Sequence, residues 1–319
     1  MPSVTVIIPA RPDAVEIDAV RAARTLDYPP EKLEIILARG KQPSAQRNAA
    51  LKEANGDLIY FLDDDSVAEP KNLRRIIGHF NDPDVKMVGG PNICPADAPP
   101  LEQTFALVLG SWLAFGPSRA RYTPVGTVRQ TSEKELILCN LVARRDALLE
   151  LGGFDEKLYP NEENALMDEL QARGGKLLYD SQLIVRRRPR RTLKAFAKML
   201  ITYGRGRAEQ FRVNPTPGSA LNFVPPLFLI YLLMLIPAAR HLGSIVVWPL
   251  IFYLAAVFVQ ALFLTRSGRT RQSFAAIPLI ILTHVLYGFG FWRGLFTTLK
   301  PKPPAAAEVT LEKVSRDGQ

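Results

Sequence analysis

Residues 44–66 read SAQRNAALKEANGDLIYFLDDDS. The first half holds Arg47, Leu51 and Ala54 in helical phase, with Ser44 placed to cap the helix. The second half, DLIYFL at 57–62, is an apolar run of strand length that ends on three consecutive aspartates. Outward from it, residues 33–37 (LEIIL) make an earlier strand, and residues 3–9 (SVTVIIP) make a β-branched strand suited to burial on both faces. Between those two, Val15, Ala19, Ala22 and Leu26 keep helical spacing. Strand, helix, strand, helix, strand within 65 residues predicts an α/β domain, Rossmann-like and mostly parallel, with right-handed crossovers. Such sheets bind ligands beyond the carboxyl ends of their strands. Here that edge collects Pro9, Ala10, Arg11, Ala38, Arg39 and the aspartates 63–65. No GxGxxG or GxxxxGKS/T sequence occurs, which argues against dinucleotide and P-loop chemistry.

The 319 residues are 47% hydrophobic and 22% charged, which excludes a disordered, collagen-like or disulfide-stapled chain. Cys94 and Cys139 are too few for a disulfide framework and read as thiols in a reducing compartment. The charge is unevenly spread. Residues 213–299 contain no acid and only Arg240, Arg266, Arg269, Arg271 and Arg293, leaving uncharged windows of 27, 25 and 21 residues. About 20 apolar residues cross a bilayer, so segments near 221–239, 243–265 and 273–292 are expected to be transmembrane. Residues 186–212 hold ten basic residues against Glu209 alone, which equals the whole formal charge of +9. Placed directly before the first apolar window, that run points to anionic membrane lipid on the cytoplasmic side rather than to nucleic acid. Leu193, Phe196, Ala197, Leu200, Tyr203 and Gly204 recur at helical spacing opposite Lys194 and Lys198. This predicts a basic amphipathic interfacial helix over 189–212; a solvated run with only a topogenic role is the alternative. The opening MPSVTVIIPA has no charged stretch ahead of an apolar one, so no signal peptide is expected and a domain over 1–188 is placed in the cytosol. Two topologies fit the apolar region: three spans with the tail outside, or two spans and a re-entrant segment. The tail, 300–319, begins KPKPP and is expected to be disordered.

Two acidic sites stand out. Adjacent carboxylates at 63–65 repel one another unless a cation neutralises them, and oxygen ligands at that density suit Mg²⁺ or Mn²⁺. Equally, Asp64 and Asp65 could cap a helix near 69–80. Glu162 and Glu163 fall in the first turn of a helix running through Ala172 to Gly174-Gly175. The helix dipole favours acids there, and the same place suits a general base at a cleft rim. The apolar segment 101–115, with Trp112 and Phe115, reads as a buried core helix or an acceptor-side helix. His284, Tyr287, Gly288 and Gly290 read as helix-packing positions or lipid contacts.

Taken in order, VTVIIPAR (4–11), residues 44–66 and GGFDEKLYPNEENALMDELQARG (152–174) resemble a family 2 glycosyltransferase of GT-A fold. Residues 189–207 and HVLYGFGFWRGL (284–295) resemble its membrane-anchored bacterial branch that builds exopolysaccharides, including succinoglycan-type enzymes. The resemblance implies a multi-pass protein of the bacterial cytoplasmic membrane with a cytosolic catalytic domain. It would transfer a sugar, with inversion, from a nucleotide-sugar to a lipid-linked (polyprenyl-diphosphate) glycan, or to polyprenyl monophosphate. By the same resemblance Asp65 would hold a divalent cation, Mn²⁺ or Mg²⁺, and Asp63 would contact it or the ribose. Pro9, Ala10, Arg11 and Asp64 would line the donor site, and Arg47 would assist the leaving diphosphate. Glu163 would be the base, with Glu162 the second candidate. Arg188, Arg190, Arg191, Arg205 and Arg207 would hold the acceptor's phosphate. Two positions depart from the family pattern. Arg39 and its neighbours stand where relatives end the second strand with a base-reading Asp, which leaves UDP, GDP and other carriers open. The base position carries Glu rather than Asp. A catalytically silent scaffold is the competing class, while the absence of a Gln-x-x-Arg-Trp element favours single addition over processive synthesis.

Overall fold

The computed structural model describes residues 1–158, 161–215, 217–298 and 309–315. The chain folds as two compact units: Met1–Pro95, Ala120–Arg188 and Lys300–Gln319 form one, and Ala96–Arg119 with Pro189–Leu299 the other.

Among the described residues the first unit has eleven strands: β1 Val4–Ala10, β2 Leu33–Arg39, β3 Leu58–Phe61, β4 Val67–Ala68, β5 Val85–Gly89, β6 Asn92–Ile93, β7 Arg129–Thr131, β8 Leu141–Arg144, β9 Lys176–Tyr179, β10 Val185–Arg186 and β11 Thr310–Lys313. Eight make one sheet in the order β11-β2-β1-β3-β8-β5-β9-β7, and β4-β10-β6 make a small second one. Strands β1, β2, β3, β5 and β9 run one way, while β7, β8 and β11 run against them. This is the mostly parallel α/β architecture that the opening strands predict. Every residue of β1 is buried. Val4, Val6 and Ile8 face one core layer with helices Asp18–Arg24 and Asn72–Ile76. Ile7 faces the other, with helices Pro43–Glu53, Arg145–Glu150 and Glu162–Ala172. Alternation of side chains along a strand produces both layers.

Four expectations are corrected here. Val15 is exposed and precedes its helix, which starts only at Asp18. Gln42 rather than Ser44 caps Pro43–Glu53 by accepting from the Ala45 N–H, because Pro43 fits the first helical position and moves the cap two residues earlier. The Asp64 and Asp65 carboxylates do not cap the next helix, which begins only at Asn72, after β4. The tail is ordered where it is described. Thr310–Lys313 pairs antiparallel with β2; residues 300–308 and 316–319 lie outside the described residues.

In the second unit the helices are Pro100–Leu109, Trp112–Phe115, Leu193–Val213, Val224–Leu242, Trp248–Leu264 and Thr270–Phe296. Two stretches, Gly218–Ser267 and Thr270–Phe296, are long and apolar enough to cross a membrane. Part of the apolar stripe of Leu193–Val213 is covered by protein: Phe196 and Leu200 are buried and Phe196 stacks on Phe105 at 4.2 Å between ring centroids, while Leu193 is exposed. Gly204 lies so close to Thr270–Phe296 that a Cβ there would sit 2.1 Å from the Tyr287 carbonyl oxygen, and one at Gly290 would sit 2.1 Å from that of Ile201. The glycines near His284 are therefore helix-packing positions, as small residues are where helix backbones meet. His284 itself bonds the Tyr253 hydroxyl (2.7 Å) and the Leu113 carbonyl (2.9 Å). Residues 101–115 divide: Phe105, Val108 and Leu109 are core, while Trp112 is exposed. Gly204→Val in detergent should lower the unfolding free energy by about 1–3 kcal/mol through overpacking. Gly78→Ala, where the new Cβ meets open space, should leave the unfolding midpoint in place. Equal midpoints for both variants would contradict the close packing.

Candidate active site

The carboxyl ends of β1, β2 and β3 bring the site together. Gln46, on the helix Pro43–Glu53, donates from Nε2 to the carbonyls of Ala10 (2.7 Å) and Ala38 (2.5 Å), and so ties the ends of β1 and β2. Two residues along that helix, Asn48 holds the Gly152-Gly153-Phe154 loop, donating to the Phe154 carbonyl (2.9 Å) and accepting its N–H (2.8 Å). Gly153 has φ +83°, and a Cβ there would fall 2.4 Å from Asn48 Oδ1. Only glycine lets the loop lie so close. The loop leads to the helix Glu162–Ala172 and delivers its two glutamates to the same region.

Arg47 stands between the two acidic sites. Its side chain is 6% exposed; Nη2 is 2.8 Å from Asp63 Oδ1 and Nη1 is 3.4 Å from Glu162 Oε1. Glu162 is 2% exposed, and its Oε2 has no hydrogen-bond partner among the described residues. Burial pushes the Glu162 carboxyl up to about 7, with the charge of Glu163 adding to the rise and Arg47 opposing it. Glu163 is half-buried in the same turn.

A second arginine arrives from β10. Arg187 pairs with Asp63 Oδ2 at 3.0 Å and with Asp65 Oδ1. Both Asp63 oxygens are thus held by guanidinium groups. Against its burial, Arg187 is kept charged by Asp63 and Asp65. Asp64 is half-buried, and its carboxyl is raised by burial, then by Asp65 and Asp63, with Arg187 and Arg11 opposing. Beneath the site, burial pushes the Cys139 thiol up to about 12, and neither cysteine forms a disulfide. The repulsion expected among the three aspartates is therefore relieved by protein cations.

Among the described residues no three His, Cys, Asp or Glu side chains converge to cage a metal unaided. Asp65 fits a shared ion better. Its side chain is 47% exposed and gives one oxygen to Arg187, so the other can meet an ion that takes its remaining ligands from diphosphate and water.

The strand-end edge expected to collect Arg11 and Asp63–Asp65 also holds Arg47 and Glu162, through the contacts of Arg47 with Asp63 and Glu162. Arg187 belongs by sequence to the basic run before the apolar region, yet with Arg47 it neutralises the aspartate cluster. Gln46 and Asn48 were missed altogether. Their only signal is two polar residues flanking Arg47 in a helix whose remaining buried positions are Ser44, Ala50 and Leu51. Arg188, Arg190 and Arg191 are exposed. Arg205 pairs along its own helix with Glu209 (3.3 Å), and Arg207 with Gln210 (3.1 Å).

Residues 19–135 match the family model for Glycosyl transferase family 2. A glycosyltransferase family 2 domain is present. Its matched segment includes Arg47 and the three aspartates and stops before Glu162. Two curated relatives, the Pre-mycofactocin glycosyltransferases of Mycobacterium tuberculosis strains CDC 1551 / Oshkosh and ATCC 25618 / H37Rv, are each 29% identical over 165 residues. That is 51% of this chain and 34% of theirs, so the match spans about a third of the length of those relatives. Among solved structures, the mannosyltransferase PcManGT from Pyrobaculum calidifontis, in complex with GDP-Man and Mn²⁺, superposes with a TM-score of 0.56 at 19% identity. The superposition covers 88% of this chain and 87% of that one, so the glycosyltransferase domain has the GT-A fold.

Proposed function

We propose that this chain is a metal-dependent inverting glycosyltransferase that moves a sugar from a nucleotide-sugar to a lipid-linked glycan, of the kind used to assemble exopolysaccharide or cell-surface glycan. The observation that carries the reading is the continuous line Asp65–Arg187–Asp63–Arg47–Glu162. It couples the strand-end acids, where a diphosphate would sit, to the helix terminus that carries Glu163.

In this reading Glu163 takes the acceptor's hydroxyl proton as that oxygen bonds the anomeric carbon. The bond from that carbon to the diphosphate breaks, and its electron pair leaves with the nucleoside diphosphate. A divalent cation on Asp65 would supply charge stabilisation to the leaving diphosphate when bound. Arg47 and Arg187 keep Asp63 fixed beside it. Pro9, Ala10 and Arg11 line the donor side at the end of β1.

A membrane setting is supported by the second unit, where Leu233, Ile236, Phe252 and Phe263 are all exposed. Water tolerates no apolar surface of that extent on a monomer. The basic residues Arg190, Arg191, Lys194 and Lys198 are exposed as well, where anionic headgroups or an acceptor diphosphate could meet them. Pairing of β11 with β2 puts residues 310–313 on the same side of any membrane as β1. In this reading that pairing supports an even number of complete crossings between them, two with a re-entrant or interfacial segment rather than three.

The test is nucleoside diphosphate release in lipid nanodiscs from UDP-, GDP- and dTDP-sugars with Mn²⁺ or Mg²⁺, and with lipid-linked acceptors extracted from native membranes. One donor should turn over and chelation should stop it. Product length separates a polyprenyl-diphosphate glycan from polyprenyl monophosphate as acceptor. Asp65→Ala should weaken Mn²⁺-dependent nucleotide binding by about tenfold or more. Silence with every donor and with acceptor-bearing membranes would move the scaffold reading to the front.

A further inference from the structure

Arg39 ends β2, and in the sheet it lies between Ala10 of β1 and Thr310 of β11. Its side chain joins two segments far apart in sequence. Nε is 2.7 Å from Glu312 Oε1 on β11. Nη1 donates to the carbonyl of Ala14 (2.7 Å), with those of Arg11 (3.4 Å) and Pro12 (3.5 Å) nearby. Those carbonyls belong to the loop that leaves β1 at its carboxyl end, and the charge of Arg11 on that loop reaches Asp64.

The strand that presents Glu312 is firmly seated. Leu311 packs against one core layer and Val314 against the other. Lys313 pairs with Glu34 at 2.8 Å, the Val314 N–H reaches the Ile35 carbonyl (2.9 Å), and Arg24 donates to the Ser315 carbonyl (3.0 Å). Burial raises the Glu34 carboxyl, but Lys313, Asn55 and Thr5 more than offset it and bring it down to about 2. The pairing therefore stays intact throughout the neutral range.

We infer that the C-terminal strand is part of the donor site: Glu312 is a positioning residue that, through Arg39, sets the 11–14 loop against which a nucleoside diphosphate binds. This rests on the transferase reading for its ligand, though not for the coupling itself. A segment reached only after the last apolar helix thereby controls donor affinity, and it acts at the carboxyl end of β2.

The experiment uses the full-length protein in nanodiscs with Glu312→Gln, Glu312→Asp and, as a control on the same strand, Lys313→Gln. Hydrogen exchange over residues 11–17 is measured without ligand. Binding of UDP and GDP with Mn²⁺ is measured beside it, and KM and kcat for whichever donor turns over. Glu312→Gln should speed exchange in the loop and raise Kd and donor KM by about fivefold, with kcat unchanged. Glu312→Asp should recover part of both, and Lys313→Gln should change neither. Unchanged exchange and affinity in Glu312→Gln, with wild type binding nucleotide, would overturn the role of Glu312 and leave the transferase reading standing. Faster exchange in Glu312→Gln with no nucleoside diphosphate bound even by wild type would uphold the coupling and sink the transferase reading. Equal effects from Lys313→Gln would reduce the result to loss of an edge strand and overturn the specific role.

Discussion

Glu163→Gln is expected to lower kcat by about 10²–10⁴ while donor KM stays within about twofold, because the loss falls only on the transition state. The substitution preserves shape and the hydrogen-bonding oxygen and removes only the proton acceptor. The choice between neighbouring glutamates follows from access. Glu162, at 2% exposure and beside Arg47, faces the sheet and cannot touch an acceptor that arrives from outside. Glu163, one residue on in the same first turn, keeps part of its side chain open. Glu162→Gln should therefore reduce kcat far less, since it alters a supporting contact rather than the reacting group. The pair of variants decides the assignment: a large loss in Glu162→Gln with near-normal turnover in Glu163→Gln would transfer the base role to Glu162.

How far the sequence reaches depends on the range of the interaction being read. Buried strands such as β1 announce themselves in a local run, and so does the helix Glu162–Ala172, whose acids sit where its dipole favours them. The parallel core of the fold follows from those runs. The ion pairs that build the site do not. Arg187 meets Asp65 across 122 positions and Arg39 meets Glu312 across 273. Only the sheet order brings these partners together, and no spacing rule encodes it. Arg187 is further disguised by its neighbours, being one of a basic run that includes the exposed Arg190, Arg191, Lys194 and Lys198. β11 was illegible for another reason: four residues, TLEK, with Leu311 as the sole apolar member, carry no periodicity, and the prolines before it suggested disorder. The stripe on Leu193–Val213 was read correctly as an apolar face, but the pattern could not say whether lipid or another helix covers it. Gly204 and Gly290, which settle that, reveal themselves only where two backbones meet.

Arg47→Met is expected to cost about 3–5 kcal/mol, because it leaves charge buried without a partner, and to lower the unfolding midpoint by on the order of 10 °C. The size of the loss should depend on pH, with a sign set by Glu162. In the folded chain that carboxyl stands at about 7, raised by burial first and by Glu163 second, with Arg47 pulling it down. In the unfolded chain it returns to about 4.3. A carboxyl raised on folding contributes stability in full below its unfolded value, and that contribution is lost as the pH climbs through the folded one. Between pH 5 and 8, then, wild type already loses this contribution, and Arg47 limits how much. Without Arg47 the folded value rises further. At pH 8 the variant must either ionise Glu162 uncompensated or hold a proton that the unfolded chain releases, and both destabilise. At pH 5 Glu162 is neutral in both proteins, and the gap shrinks to the loss at Asp63, which still has Arg187 at 3.0 Å. The stability gap between wild type and Arg47→Met should therefore widen from pH 5 to pH 8. Adding Glu162→Gln to the variant should close most of it at pH 8 and little at pH 5. Denaturant unfolding at the two pH values measures this directly, and a gap that ignores both pH and the second substitution would show that Arg47 and Glu162 are not a coupled pair.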